Sequence, residues 1–271
     1  MSYTPEAIRS ALPTLIVGRR IELHAQVGST NDLAREAGRR GEPEGLVVLA
    51  DEQVAGRGRM GRAWAAPPGC CILCSVLLRP RFSPQQAFYL TIAASLAIHR
   101  VCATLLQHDQ GPMTKDQSLR RPSSIKWPND VLVRGKKVAG ILCESEFGRE
   151  GWDFSVVGFG INVNLRPEEL GDLRNRATSL SSELGRSLDR TALLVRVLTE
   201  LESLYISLQN GQFRHLHGQW TAALETTGKR VSVQEPGGTV SGVALRVDPD
   251  GALVIRQDNG TERRVLTGDV A

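Results

Sequence analysis

Residues 56–69 read Gly56-Arg57-Gly58-Arg59-Met60-Gly61-Arg62-Ala63-Trp64-Ala65-Ala66-Pro67-Pro68-Gly69, just after an apolar run, Leu46 to Ala50, that reads as a strand. The opening satisfies G-x-G-x-x-G, so a dinucleotide-binding doubly wound fold is the first reading to test. That motif works only where the glycine turn opens a helix whose N-terminus faces the pyrophosphate, and Pro67 and Pro68 forbid the helix. No acidic residue stands about 20 positions on, where a ribose would be held. A protein-kinase loop fails on the same context. What remains is a flexible loop with accessible backbone amides at its glycines and guanidiniums at Arg57, Arg59 and Arg62. Such a loop can hold phosphate or carboxylate through bidentate hydrogen bonds. A solvated arginine loop or an RNA-binding arginine–glycine segment fits the same residues, and the loop alone leaves these readings open.

The surrounding chain has 271 residues, 41% hydrophobic and 23% charged, with 27 glycines and 13 prolines. This composition supports a sizeable core and excludes collagenous and disordered classes. Thirty-three basic against 29 acidic residues leave a net charge of +4, a mild attraction to anions that identifies no partner. Lysine is sparse, yet Lys126, Lys136 and Lys137 fall close together. The odd set of cysteines, Cys70, Cys71, Cys74, Cys102 and Cys143, argues against a disulfide framework and for a reducing cytoplasm. Cys71 and Cys74 lie in an apolar strand that points i and i+3 to opposite faces, so they read as small buried hydrophobes. His215 and His217 diverge on a helix and do not complete a zinc site. No run approaches the roughly 18 to 20 uninterrupted apolar residues of a membrane span. Glu6, Pro13 and Arg19-Arg20 are unlike a signal peptide, and the expected location is the cytoplasm, with no membrane partner.

Thr4-Pro5-Glu6 predicts a short capped helix that ends at Pro13, followed by an extended segment near Ile21–Ala25 and a helix from about Ser29 to Arg40. A strand over Cys70–Leu78 leads through Pro84 into an amphipathic helix from about Gln85 to Leu106. Residues 107–123 are polar and proline-bearing and read as an exposed, inserted loop. Ile125–Val133, Val138–Glu144 and Phe154–Val163 read as three strands, with Arg134-Gly135-Lys136 turning between the first two. Leu193, Leu194, Val197, Leu198, Leu201, Leu204, Tyr205 and Leu208 form the stripe of a helix capped by Asp189. From about Thr226, short β-branched runs separated by Pro236-Gly237-Gly238, Asp250-Gly251 and Asn259-Gly260 predict a small separate β-barrel.

A second string, Lys126-Trp127-Pro128-Asn129-Asp130, fixes one cation and one carboxylate around a proline that holds Trp127 extended. The pair suits a nucleotide and its magnesium. A surface ion pair worth under about 1 kcal/mol is the bland alternative for such a string on its own.

Together these motifs resemble the biotin–protein ligases. The resemblance rests on Gly28-Ser29-Thr30-Asn31, Gln53 ahead of the arginine loop, the KWPND string, Lys137-Val138-Ala139-Gly140-Ile141-Leu142 and Val157-Gly158-Phe159-Gly160-Ile161-Asn162, in family order from about residue 22 onward. It implies an α+β fold: a class II aminoacyl-tRNA-synthetase-like catalytic domain, a mixed sheet flanked by helices, over residues 1–224, then an SH3-like β-barrel over residues 225–271. It also implies a two-step reaction. Biotin's carboxylate attacks the α-phosphate of ATP to give biotinyl-adenylate and pyrophosphate, and a lysine of a biotin carboxyl carrier protein or domain then takes the biotinyl group.

The implied roles fall on particular residues. Arg57 and Arg59 would neutralise the approaching carboxylate, and Arg62 and Lys126 the phosphates, while Asp130 would help place Mg2+. Lys137 would touch both the biotin carboxylate and the α-phosphate from a strand whose Val138, Gly140 and Leu142 share the opposite face, Gly140 permitting close approach. Gly158 and Gly160 would leave a slot for the ureido ring, backed by Val157, Phe159 and Ile161, with Ser29, Thr30 and Gln53 on its polar atoms. Asn31 and Gly58 join the biotin site, and Trp64, Asn129 and Asn162 the ATP site. Two departures stand out: Gly28 where an aspartate is common, and Met60 where the loop is often basic.

A lipoate–protein ligase shares this fold and chemistry, but the paired GRGRMGR and KWPND strings favour biotin. The 27 residues before Gly28 leave no room for a helix-turn-helix, so no specific DNA binding is expected. An RNA-binding arginine-loop protein without catalysis leaves Lys137 and the paired glycines unexplained. Sheet-edge pairing leaves room for a homodimer.

Overall fold

The computed structural model describes residues 3–64, 66–108, 122–149, 151–235 and 237–270. The bulk of the predicted 107–123 insertion, residues 109–121, lies outside the described residues.

Thr4 caps α1 (Pro5–Ala11), its hydroxyl accepting from Ala7 N, and β1 (Arg20–Val27), α2 (Thr30–Arg39) and β2 (Leu46–Gln53) follow as a parallel crossover unit. The chain then runs antiparallel: β3 (Cys71–Leu78), helix α3 (Phe88–His108), β4 (Ser123–Lys126), β5 (Asp130–Val133), β6 (Lys136–Gly148) and β7 (Gly151–Asn162). These seven strands form one mixed sheet in the order β1-β2-β3-β7-β6-β5-β4. The stretch read as a single strand from Ile125 to Val133 is two strands, β4 and β5, paired Lys126 to Asp130 across a tight turn at Trp127-Pro128-Asn129. The next turn is the one expected: Arg134 (φ 48) and Gly135 (φ 81) both take left-handed backbone, as a two-residue hairpin between right-twisted strands requires.

One face of the sheet packs on α3, α4 (Leu180–Leu184), α5 (Arg190–Gln209) and α6 (Phe213–Ala223). Helix α3 is long and apolar, and about two-thirds of its most apolar stretch is buried inside the protein. Asp189 caps α5 by accepting from Thr191 N and Ala192 N, and the predicted leucine stripe is buried. Glu202, on the same helix and 5% exposed, grips the chain before β1: its carboxylate accepts from Leu15 N, Ile16 N and Val17 N, each at 2.7 Å. Three charge-assisted bonds offset the desolvation of that carboxylate.

The other face is only partly covered. Ala34 and Ala37 of α2 pack on Leu46, Val48, Leu77, Phe154 and Val156 at one end, and the rest of the face is open. Cys71 and Cys74 do point to opposite faces, Cys71 toward this open side with Leu73 and Leu165, Cys74 into the main core.

The C-terminal strands β8 (Arg230–Glu235), β9 (Gly238–Val247), β10 (Leu253–Arg256), β11 (Glu262–Val265) and β12 (Asp269–Val270) form an antiparallel sheet ordered β11-β10-β9-β8-β12. Trp127, 1% exposed, fastens it to the larger sheet: Trp127 N donates to Thr226 Oγ1 and Trp127 Nε1 to Gly251 O, both at 2.9 Å. Gly251 has φ 89, and a Cβ there would meet the Phe88 ring at 2.6 Å, so the Asp250-Gly251 turn can sit close only with glycine.

Candidate active site

The open part of the sheet is a pocket of about 900 Å³, lined by the start of α2, the end of β2, the arginine segment, the glycines of β6 and β7, and residues 165–177. The sequence motifs therefore converge on one place.

At one end, Ser29 precedes α2 and lines the pocket, and its hydroxyl makes no capping bond among the described residues. Gln53 Oε1 accepts from Thr30 N (2.7 Å) and Thr30 Oγ1 (3.0 Å), so the glutamine is oriented by its carbonyl while its amide N–H groups have no partner among the described residues. Asn31 Nδ2 donates to Glu144 Oε2 (2.7 Å) and Leu142 O (3.2 Å). The Ser75 hydroxyl, 2.6 Å from Asn31 Oδ1 and 2.8 Å from Thr30 Oγ1, shares its one proton between them.

The glycine pair is placed as expected, with Val157, Phe159 and Ile161 in the core behind it, but the slot is not bare. A Cβ on Gly158 would lie 1.9 Å from Asn31 Oδ1, and one on Gly160 2.6 Å from the Trp64 indole. The side chains of Asn31 and Trp64 occupy the room those glycines create. Trp64 Nε1 is buried with no hydrogen-bond partner among the described residues, an orphan donor inside the pocket.

The loop predicted to be flexible is a tight hairpin. Arg57 pairs with Ala63, Trp64 N donates to Gly56 O (2.8 Å) and Gly58 N donates to Arg62 O (2.6 Å). At its tip Met60 takes φ 55, a left-handed conformation that costs a non-glycine residue about 1 kcal/mol or more. The Arg57 guanidinium turns to Asp32 on α2, with bidentate bonds of 2.8 and 2.5 Å. Arg62 pairs with Asp269, and Arg59 reaches Asn129 Oδ1 (3.5 Å) and Gly268 O (3.4 Å). Burial pulls the Arg59 pKa below the usual guanidinium range, so its charge lacks the solvation an anion could replace.

Lys137 faces the pocket by a route the alternation rule did not foresee. Leu132 pairs with Lys137 and Val131 with Ala139, so Val138 is an extra residue, a β-bulge. Val138 and Ala139 both enter the core, and Lys137 and Gly140 emerge together on the pocket face: a Cβ on Gly140 would lie 3.1 Å from Lys137 Nζ. Val138 is therefore not on the face of Gly140 and Leu142, as simple alternation predicted. Lys137 Nζ sits 2.7 Å from Asp130 Oδ1 and 5.5 Å from the Trp64 ring centre. Lys126, on β4, lines the same pocket with no ion-pair partner among the described residues.

Two predicted nucleotide contacts have their amides committed to the framework. Asn129 Nδ2 donates to Ile141 O (2.6 Å) and Asn162 Nδ2 to Thr178 O (3.0 Å). The latter holds the excursion after β7, whose Arg176 O accepts from Lys137 N (2.8 Å). That excursion was missed by sequence reading: Leu165 and Leu170, with Trp64, form an apolar wall of the pocket. Asp269 also enters from the C-terminal sheet, a place at the site that the sequence reading did not give it. Among the described residues, no group of three or more His, Cys, Asp or Glu is arranged to hold a metal ion. The donor set fits Mg2+, which binds through one or two carboxylates with substrate phosphates and water, rather than a metal needing an all-protein cage.

Residues 23–162 match the Biotin/lipoate A/B protein ligase family, and residues 226–271 match the Biotin protein ligase C terminal domain. A biotin–[acetyl-CoA-carboxylase] ligase of Mycobacterium tuberculosis is 38% identical over 255 residues, 93% of this chain and 88% of the relative. The bifunctional ligase/repressor BirA of Bacillus subtilis is 32% identical over 264 residues, 97% of this chain and 77% of the relative. The biotin protein ligase from Aquifex aeolicus, solved in complex with biotin and ATP, superposes with a TM-score of 0.75 at 26% identity over 93% of this chain and 98% of that one. Fold and pocket thus define a ligase of the biotin and lipoate class. Within that class, the chain belongs to the biotin protein ligase family.

Proposed function

We propose that this chain activates biotin as biotinyl-adenylate at the expense of ATP and passes the biotinyl group to a lysine of a biotin carboxyl carrier protein or domain. The observation that carries the reading is the meeting of Lys137, Lys126, Arg59 and Arg62 with the Asp130 carboxylate at the mouth of a glycine-floored slot. Biotin's fused ring lies at the α2 end, where the Ser29 hydroxyl and the Gln53 amide are unpartnered among the described residues and Asn31 is locked in place. Its carboxylate then points toward Lys137. An adenine ring fits the apolar wall of Trp64, Leu165 and Leu170.

In the first step a carboxylate oxygen attacks the α-phosphorus and pyrophosphate leaves. Both reactants are anions, so the barrier is dominated by charge repulsion, and the ammonium of Lys137 between them lowers it. Asp130, 2.7 Å away, keeps that ammonium aimed. Arg59, Arg62 and Lys126 carry the phosphates; Asp130 would hold Mg2+, which would supply further neutralisation of phosphate charge. In the second step the carrier lysine's amine attacks the acyl carbon and AMP leaves.

We also assign the finer architecture of the family to this chain: a synthetase-like catalytic domain to residue 224 and an SH3-like barrel from residue 225, supported by the antiparallel C-terminal order β11-β10-β9-β8-β12. The function is tested by incubating the protein with biotin, ATP, Mg2+ and a purified biotin carboxyl carrier domain. Biotinylation of one carrier lysine, seen by mass spectrometry and dependent on ATP, is expected; an unmodified carrier alongside a positive-control ligase contradicts the proposal.

A further inference from the structure

We propose that Glu144 and Ser75, neither of which lines the pocket, are positioning residues that fix which end of the Asn31 amide meets the ligand, and so make the slot select a ring bearing N–H donors, a cyclic urea. The inference deepens the ligase reading and rests on it, because biotin carries such a ring.

Three strands set the geometry. Ser75 of β3 and Leu142 of β6 are the ladder neighbours of Gly158 on its two sides, and Gly158 puts no side chain between them. The side chain of Asn31, from the first turn of α2, lies in that gap. What it meets on the β6 side can only accept. Leu142 O and Glu144 Oε2 stand 3.2 and 2.7 Å from Asn31 Nδ2, and neither a carbonyl nor a carboxylate donates, so the nitrogen must face them and the oxygen must face Ser75. The Ser75 hydroxyl, fully buried, lies 2.6 Å from Asn31 Oδ1. Asn31 is itself 5% exposed, so turning its amide over would set an oxygen against two acceptors with little water to relieve them.

Glu144 is held in turn. Its other oxygen, Oε1, accepts from Arg35 of α2 at 3.4 Å, and Arg35 is fixed by Glu146 at 3.0 and 2.6 Å. One oxygen of the Glu144 carboxylate therefore faces a guanidinium and the other faces Asn31. The effect at the pocket follows from lone pairs. An amide oxygen accepts two hydrogen bonds, Ser75 supplies one, and no second donor reaches Asn31 Oδ1 among the described residues. The remaining lone pair suits an N–H of the ligand ring. With the amide reversed, the same place would offer a donor and reject that N–H.

Glu144→Gln tests the assignment, because it keeps the shape of the side chain and changes what it offers. With its one oxygen given to Arg35, the new amide donates toward Asn31, whose orientation is then no longer dictated. Calorimetry on the full chain compares biotin with its cyclic carbonate analogue, in which ring oxygens replace both N–H groups. The parent should prefer biotin about 100-fold or more, since the analogue leaves a buried acceptor unmatched. In Glu144→Gln, biotin affinity should fall about tenfold while affinity for the carbonate holds, so the preference shrinks about tenfold. Ser75→Ala, which removes the donor that anchors the oxygen, should shrink the preference in the same direction. A role confined to packing would weaken both ligands alike. An equal loss for the two ligands, or a preference that keeps the parent value in both variants, overturns the proposal and leaves the ligase reading standing. A parent chain that binds neither ligand refutes the ligase reading and this inference with it.

Discussion

Lys137 Nζ lies 2.7 Å from Asp130 Oδ1, and the bulge at Val138 is what brings the two side chains onto the same face of the β5–β6 ladder. The pair joins the cation that must sit between two anionic reactants to the carboxylate that holds it there.

Lys137→Ala should therefore reduce adenylate formation by about 100-fold or more, the cost of removing a preorganised charge from the transition state. The side chain is about one-third exposed and packs little, so the denaturation midpoint should stay near that of the parent. Single-turnover adenylation with a parallel urea titration checks both halves.

Gly158→Ala would place a methyl 1.9 Å from Asn31 Oδ1 and drive that side chain off Ser75 and Glu144. Biotin affinity should fall about tenfold, roughly 1.4 kcal/mol, measured by calorimetry. Parent-like binding would show that the glycine serves no cradle.

Glu202→Ala would leave the amides of Leu15, Ile16 and Val17 without their acceptor. A loss of about 3 kcal/mol in unfolding free energy is expected, with an unchanged denaturant slope. Glu202→Gln keeps one acceptor and should lose less.

Burial pushes the Cys71 and Cys102 thiols up to about 12, so the reactive thiolate is scarce at neutral pH and becomes appreciable only as pH nears that value or the protein unfolds. Iodoacetamide at pH 7.5 should leave both unmodified in the folded protein and alkylate both in urea. Rapid labelling of either in the native state would contradict their placement.

Much of this was legible in the sequence because it depends on periodicity and on short strings. The α5 stripe, the Asp189 cap, the Arg134-Gly135 turn and the C-terminal β runs are local signals, and the structure carries each of them. The order of the GSTN, GRGRMGR, KWPND and paired-glycine strings pointed to one pocket, and they meet in it. What escaped is non-local or off-pattern. A bulge shifts the phase of alternation by one residue, so Val138 was placed on the wrong face. The turn at Trp127-Pro128-Asn129 that divides β4 from β5 lies inside a stretch that reads as one strand by its apolar residues. The Asp32–Arg57 and Asp269–Arg62 partnerships span 25 and 207 positions, and no local pattern announces them.

The most direct test of the account is pyrophosphate exchange into ATP in the presence of Mg2+, with added biotin, added lipoate, or neither acid. Exchange that requires biotin and ignores lipoate is predicted. Exchange driven by lipoate would keep the adenylating chemistry but contradict the assigned substrate, and no exchange with either acid would contradict the account at its centre.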